Sequence, residues 1–214
     1  GVIVAADEDE LHSYERKKSV VFERRRGRGL PSDDDLREIS PHDARELFPA
    51  LKTVLRALYF RGGARVDGRL LTAALLKAAG TYGLSVLHQR AGDLILNAGR
   101  VVGVNVDGDE IHAGSVIIAG GAWSSAYGRQ LGVTIPVEPQ RGQIIHLNLI
   151  GADTAEWAIV EAFHGHYLVC WPDGRVVAGA TRETGSGFVP VTSADGVREV
   201  LSEAIRVAPG LQTA

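Results

Sequence analysis

The segment Ser115-Val-Ile-Ile-Ala-Gly-Gly-Ala-Trp-Ser124 constrains this chain more than any other. Its apolar run from Ser115 to Ala119 has the pattern of a strand buried on both faces rather than half exposed. Gly120 and Gly121 follow at the carboxyl end, and Ser124 then opens a short helix expected to reach Leu131. Glycines in that position let backbone approach a ligand where a β-carbon would collide. A tight strand-to-helix turn needs the same residues, so the segment alone leaves a cofactor edge and a plain turn both open.

Before this segment, Val2 to Ala6 reads as a strand, Glu8 to Lys18 as a short polar helix, and Ser19 to Glu23 as a second strand able to pair with the first. Ser40 as a cap, Pro41 in the first turn and Pro49 as a stop predict a short helix, and Arg61 to Ala64 is loop. Behind Asp67, the residues Leu70, Leu71, Ala74, Leu75, Ala78 and Ala79 recur at helical spacing, and Gly80 or Gly83 ends this amphipathic helix. Val86 to Gln89 is expected as a strand. Leu94 to Leu96, Val101 to Val106 and Glu110 to His112 then alternate with the turns Asn97-Ala98-Gly99 and Asp107-Gly108 as a β-meander. Beyond the linker Pro136 to Pro139, the stretches Gln143 to Leu149, Trp157 to Ala162, His166 to Trp171 and Arg175 to Ala180 read as strands of a mainly antiparallel sheet. Ser193 caps a closing helix from Ala194 to Val207, which Pro209-Gly210 ends.

The 23 basic and 26 acidic residues give a net charge of -3, which offers no overall field for nucleic acid or anionic lipid. Arg24, Arg25, Arg26 and Arg28 are a local exception, but Asp33, Asp34 and Asp35 follow, and the cluster reads as a solvated surface turn rather than a nucleic-acid site. No stretch approaches the ~18 apolar residues of a membrane helix, and the start turns acidic too early for a signal peptide, so the expected location is cytoplasmic. The single cysteine, Cys170, cannot form an internal disulfide and reads as packing. His164 and His166, two apart on a predicted strand near Glu161 and Cys170, lack a third ligand at a compelling spacing, and no metal is assigned. With no Met and Gly1 at its start, the chain reads as processed, freed from a tag or excised from a longer protein.

The order of Val66-Asp67 with its helix, Gly83 with a strand, Arg100-Val-Val-Gly-Val104, Val116-Ile-Ile-Ala-Gly-Gly-Ala-Trp-Ser124, Pro136-Val-Glu-Pro-Gln-Arg-Gly-Gln143 and Gly174-Arg-Val-Val-Ala-Gly-Ala-Thr181 resembles the D-amino-acid oxidase superfamily, which includes glycine oxidase and sarcosine oxidase. The likeness spans nearly the whole chain. It implies an α/β (α+β) fold: residues 66–137 as a piece of a Rossmann-type FAD-binding domain with a β-meander, and residues 1–65 and 138–214 as a substrate domain on a mainly antiparallel sheet with helices.

Carried over by position, Gly92 falls where such proteins offer backbone to the adenine of FAD, although the relatives have valine there. Ala119, Gly120, Gly121 and Trp123 resemble the strand-end turn against the cofactor, and Arg141 in Arg141-Gly142-Gln143 resembles the crossing back into the substrate domain. Tyr167 matches the strand position from which glycine oxidase-like enzymes direct a tyrosine at the substrate carboxylate. A phenol donates a hydrogen bond without requiring a cationic substrate. Without the resemblance, it reads as an aromatic packed in the sheet. Arg182 replaces an apolar residue that some relatives place beside the substrate. It reads as a bidentate clamp for a second anionic group or as a surface arginine paired with Glu183.

The superfamily's G-x-G-x-x-G turn is expected before Gly1 and its main carboxylate-binding arginine beyond Ala214, so this chain alone is expected neither to retain FAD nor to turn over substrate. For the complete protein the resemblance implies oxidation of a small-molecule amine or amino acid by hydride transfer to FAD. The protein groups would position and stabilise rather than attack, and no catalytic residue is assigned. Two other readings stand beside it: a hydroxy-acid or glycerol-phosphate dehydrogenase on the same scaffold, to which Arg182 lends weight, and a non-catalytic binding or assembly subunit. A homo-oligomer and an electron-acceptor partner are both left open.

Overall fold

Strand β1 (Val2–Ala5) is almost wholly withdrawn from solvent, because it lies inside a seven-stranded sheet with a helix layer over each of its faces. The computed structural model describes residues 1–88 and 92–214, and contacts divide the chain into two units. The first comprises Gly1–Arg65, Arg141–Glu183 and Pro190–Ala214; the second comprises Val66–Gln140 and Thr184–Val189.

The sheet of the first unit runs in the order β2 (Leu36–Ile39), β3 (Arg56–Phe60), β1, β9 (Val160–Glu161), β10 (Tyr167–Cys170), β11 (Arg175–Gly179) and β8 (Ile144–Asn148). Neighbours are antiparallel except β1 with β9. One face sends Val2, Val4, Val160, Leu168, Cys170 and Val176 into a core with Ala44 and Phe48 from the α2 (Pro41–Leu47) region and Val200 and Ala204 of α5 (Ala194–Val207). Ser40 and Asp43 form the capping box that starts α2, and Ser193 Oγ accepts from Gly196 N at 3.2 Å to start α5. The opposite face is covered over β1 to β3 by α1 (Leu11–Arg28), where Tyr14 packs with Ala5, Leu36 and Leu58. Over β8, β10 and the end of β11 that same face leaves Ile144, His146 and Tyr167 exposed.

Four expectations for this unit need correction. Ser19 to Glu23 is not a strand, and the arginines from Arg24 to Arg28 are not a turn: both are absorbed into α1. Leu11, Tyr14, Val21 and Phe22 recur at helical spacing, so packing that stripe on the sheet outweighs the local β preference of Val20 and Val21. The strand expected over Trp157 to Ala162 shrinks to Val160–Glu161, and that over His166 to Trp171 begins at Tyr167.

In the second unit, Asp67 Oδ1 accepts from Arg69 N and Leu70 N at 2.9 and 3.1 Å and starts α3 (Gly68–Thr81). The meander forms as β4 (Asp93–Asn97), β5 (Arg100–Val106) and β6 (Asp109–His112), in that order. Its turns put Ala98, Gly99, Asp107 and Gly108 at positive φ, the handedness that suits tight hairpins. A 3-10 turn, Gly121–Tyr127, leads into α4 (Gly128–Leu131), and Gln130 ties α4 to β4 through Leu94 N and Asp93 Oδ1 at 2.7 and 2.9 Å. A two-stranded ribbon, β7 (Gln140–Arg141) with β12 (Glu183–Thr184), marks where the chain leaves this unit and re-enters it.

Here too the sequence pattern overreaches. Ser115 to Ala119 is not a buried strand: no described residue pairs with it, and Ile117 is 87% exposed. Val86 to His88 likewise form no strand, while Gln89 lies outside the described residues. Helix α3 buries none of its residues, leaving Leu70 and Leu75 at 71% and 61% exposure. A strand is defined by its ladder and an amphipathic face by its cover. The described residues supply neither to these segments. No described helix is long and apolar enough to cross a membrane.

Candidate functional site

In β10 the side chains alternate strictly: Leu168 and Cys170 are buried in the core, and Tyr167 points to the uncovered face at 37% exposure. Tyr167 stands opposite Glu161 on β9 and Gly179 on β11, and Gly179 in turn stands opposite Ile144 on β8. A β-carbon on Gly179 would lie 2.9 Å from the phenol Cζ and Oη and 2.7 Å from Ile144 Cγ2. The missing side chain lets the phenol lie across β11. Its hydroxyl makes no hydrogen bond among the described residues, which leaves a donor on an open sheet face. Burial pushes the Cys170 thiol up to about 12, so it stays neutral and acts as packing.

Arg182 is exposed just past β11 and forms no ion pair among the described residues. Glu183, its suggested partner, is taken instead by Arg141, whose Nε and terminal nitrogen lie 3.0 and 2.5 Å from one carboxylate oxygen. Gln143 Nε2 and Thr181 Oγ1 donate to the other oxygen at 2.5 and 2.8 Å. Arg141 first, then Gln143 and Thr181, hold the Glu183 carboxyl down at about 2. Ser193 extends the network by donating its amide to Gln143 Oε1 at 2.9 Å, and a β-carbon on Gly196 would sit 2.2 Å from Gln143 Nε2 and push that amide out of the network. Sequence reasoning names Arg141 and the cap Ser193 but not this cluster. Its members span residues 141 to 196 and carry no common motif; the only signal is polarity within an otherwise apolar strand pattern.

In the second unit, Gly120 (φ -80°) and Gly121 (φ +51°) form the turn ahead of Trp123, whose amide donates to Gly120 O at 3.0 Å. Nothing lies within 4 Å of a β-carbon built on Gly121, so the left-handed backbone faces open space. Ala119 is exposed beside it. Trp123 stacks on Phe188, ring centroids 4.9 Å apart at 22°, and both stay more than half exposed. Such an open, side-chain-free turn beside an aromatic plate fits the edge of a flat cofactor. Gly92 has a different local reason for being glycine: a β-carbon would sit 2.0 Å from Asn105 O of β5.

The two histidines do not share a sheet face, because the strand starts after them. His164 Nε2 and Nδ1 meet Asp9 and Glu203 at 2.9 and 3.1 Å, while His166 Nδ1 meets the His164 carbonyl at 2.9 Å. Burial lowers the His164 pKa, but the bonds to Asp9 and Glu203 outweigh it and raise it overall. Arg206 joins Asp7, Glu10 and Glu203 to the same cluster at 2.6 to 2.9 Å.

The family of FAD dependent oxidoreductases (DAO) matches residues 1–214. The chain is 35% identical to the uncharacterized oxidoreductase YurR of Bacillus subtilis (strain 168) over 207 residues, which cover 95% of this chain and 55% of that protein. It is structurally similar to iminodiacetate oxidase (IdaA) from Chelativorans sp. BNC1, with a TM-score of 0.86 and 39% identity over 99% of this chain and 56% of the other. Glycine oxidase from Geobacillus kaustophilus matches with a TM-score of 0.80 and 26% identity over 100% of this chain and 55% of that one. The chain therefore spans about half the length of the relatives it matches.

Proposed function

Because the chain belongs to the family of FAD dependent oxidoreductases, we propose that the complete protein oxidises an amine or amino acid, with Tyr167 binding the substrate carboxylate. The observation that carries this reading is the unpartnered Tyr167 hydroxyl, laid over Gly179 on the open face of the sheet. The activities for which the similar glycine oxidase and iminodiacetate oxidase are named support the substrate class.

In this reading residues 1–65 and 138–214, which contain the whole first unit, are substrate domain, and residues 66–137 belong to the flavin domain. FAD, when bound, would supply the two-electron acceptor for oxidation at the carbon bearing the nitrogen. Tyr167 donates its hydroxyl proton as a hydrogen bond to the carboxylate and so fixes which carbon is presented. Arg182 selects substrates by engaging an anionic group on the β11 side of Tyr167. The open turn at Ala119, Gly120 and Gly121 and the Trp123 indole hold the cofactor edge; Arg141 acts through Glu183 to fix the crossing ribbon. This chain alone does not retain FAD, since the described glycine turn is one wall of a site.

The test is anaerobic titration of the full-length flavoprotein with amino acids, secondary amines and hydroxy acids. Bleaching of the flavin band by amines and not by hydroxy acids is expected. Bleaching by hydroxy acids or glycerol phosphate alone would move the assignment to the second reading, which the free Arg182 guanidinium favours. No flavin band at all would leave a binding or assembly subunit. Gly120→Ala probes the cofactor contact separately. Its backbone suits alanine and the added carbon meets only Ser124 at 3.4 Å, so a folded variant should lose flavin through contact with the cofactor alone.

A further inference from the structure

One edge of α1 carries Arg16, Lys17, Val20, Val21 and Arg24, spaced three and four apart, and with Phe163 from the turn before β10 they line a groove of about 370 Å³. Its floor is apolar and its rim cationic. Phe163 is fixed by an edge-to-face contact with Tyr14, centroids 6.1 Å apart. Lys17 pairs with Glu161, the residue that stands directly opposite Tyr167 on the same open face. Arg16 and Arg24 form no ion pair among the described residues, and they lie two helical turns apart, about 12 Å along the axis. The groove therefore adjoins, through Lys17, the residue opposite Tyr167, and its rim carries two cations that have no ion pair among the described residues.

We propose that this groove binds the acidic tail of the substrate: an amine or amino acid whose chain crosses apolar carbon and ends in a second carboxylate. The inference rests on the reading that Tyr167 faces the substrate. With the first carboxylate on Tyr167, the methylenes pass over Val20 and Phe163, and the terminal carboxylate accepts charge-assisted hydrogen bonds from Arg16 or Arg24. Glu161 takes Lys17, so the cations left for the tail are Arg16 beside it and Arg24 further along the helix. Arg182, past the end of β11, serves the other flank.

The test uses full-length holoenzyme and two tails of equal length, N-(3-carboxypropyl)glycine and N-butylglycine. Wild type is expected to prefer the acidic tail. Replacing Arg16 and Arg24 together by Gln should lower kcat/KM for it roughly 10- to 100-fold, mainly through KM, while N-butylglycine is unaffected. Equal losses on both substrates, no loss on either, or wild-type turnover of other amines but not the acidic one, each overturns the proposal. Tyr167→Phe separates the two levels of the account: it should slow both substrates alike, and if it slows neither, the carboxylate role of Tyr167 fails whatever the groove does. A double variant that does not fold is replaced by Arg16→Gln and Arg24→Gln singly, read in the same way.

Discussion

Helices α3 and α5 have the same length and the same kind of start, yet opposite fates. Asp67 caps one and Ser193 the other, and each carries an apolar stripe at helical spacing. Helix α5 buries Gly196, Val200, Ala204 and Val207 against the sheet, while α3 buries nothing. Caps and periodicity are local properties that a helix carries with it. Burial belongs to the partner surface. In α5 that surface is β8, β10 and β11; for α3 the described residues offer none.

The largest effect should come from placing a charge on each stripe. Val200→Asp puts an unpaired carboxylate at a site only 1% exposed and should cost about 3–5 kcal/mol in urea unfolding of this chain. Leu75→Asp, on the bare face of α3, should stay within about 0.5 kcal/mol. A large cost for Leu75→Asp would mean that another surface covers α3 in solution, and the contrast between the helices would collapse.

Glycine sharpens the same comparison at smaller scale. Gly196→Ala drives a β-carbon into Gln143 and should destabilise by roughly 1–3 kcal/mol, whereas Gly80→Ala in α3 meets nothing within 4 Å and should stabilise by about 0.5–1 kcal/mol. Paired melting curves check both signs at once.

The smallest effect is a pH trend. His164 holds the segment before α1 to α5 through Asp9 and Glu203, and its pKa is raised. Its contribution is complete below the unfolded value of about 6.5 and is lost as pH rises through the raised folded value. His164→Gln should therefore lower Tm more at about pH 5.5 than at about pH 8.5. An equal deficit at both would assign the bond pair no ionic component.

The elements that were legible in the sequence are those written in local chemistry. Ser40-Pro41 with Asp43, Asp67 and Ser193 place three helix starts, and Ala98-Gly99 and Asp107-Gly108 place two hairpins. What escaped depends on distant partners. Val20-Val21-Phe22 reads as strand until Tyr14 and the sheet fix its helical stripe, and β3 exists through pairing with β1 and β2 through pairing with β3. At the site, Tyr167 was visible as a position, but its exposure follows from the alternation of β10 and from the absent side chain of Gly179 across the ladder. From sequence Glu183 reads only as a partner for Arg182, because its pairing with Arg141 joins residues 42 apart.

Steady-state kinetics of Tyr167→Phe in the full-length protein test the central claim most directly. The ring and its packing over Gly179 remain, and only the hydroxyl is lost. Losing one hydrogen bond to a charged group, worth ~1.5–3 kcal/mol, predicts roughly a 10- to 150-fold fall in kcat/KM for the carboxylate-bearing substrate. Wild-type kcat/KM in a folded, flavin-loaded Tyr167→Phe variant would contradict the account and return Tyr167 to the sheet as packing.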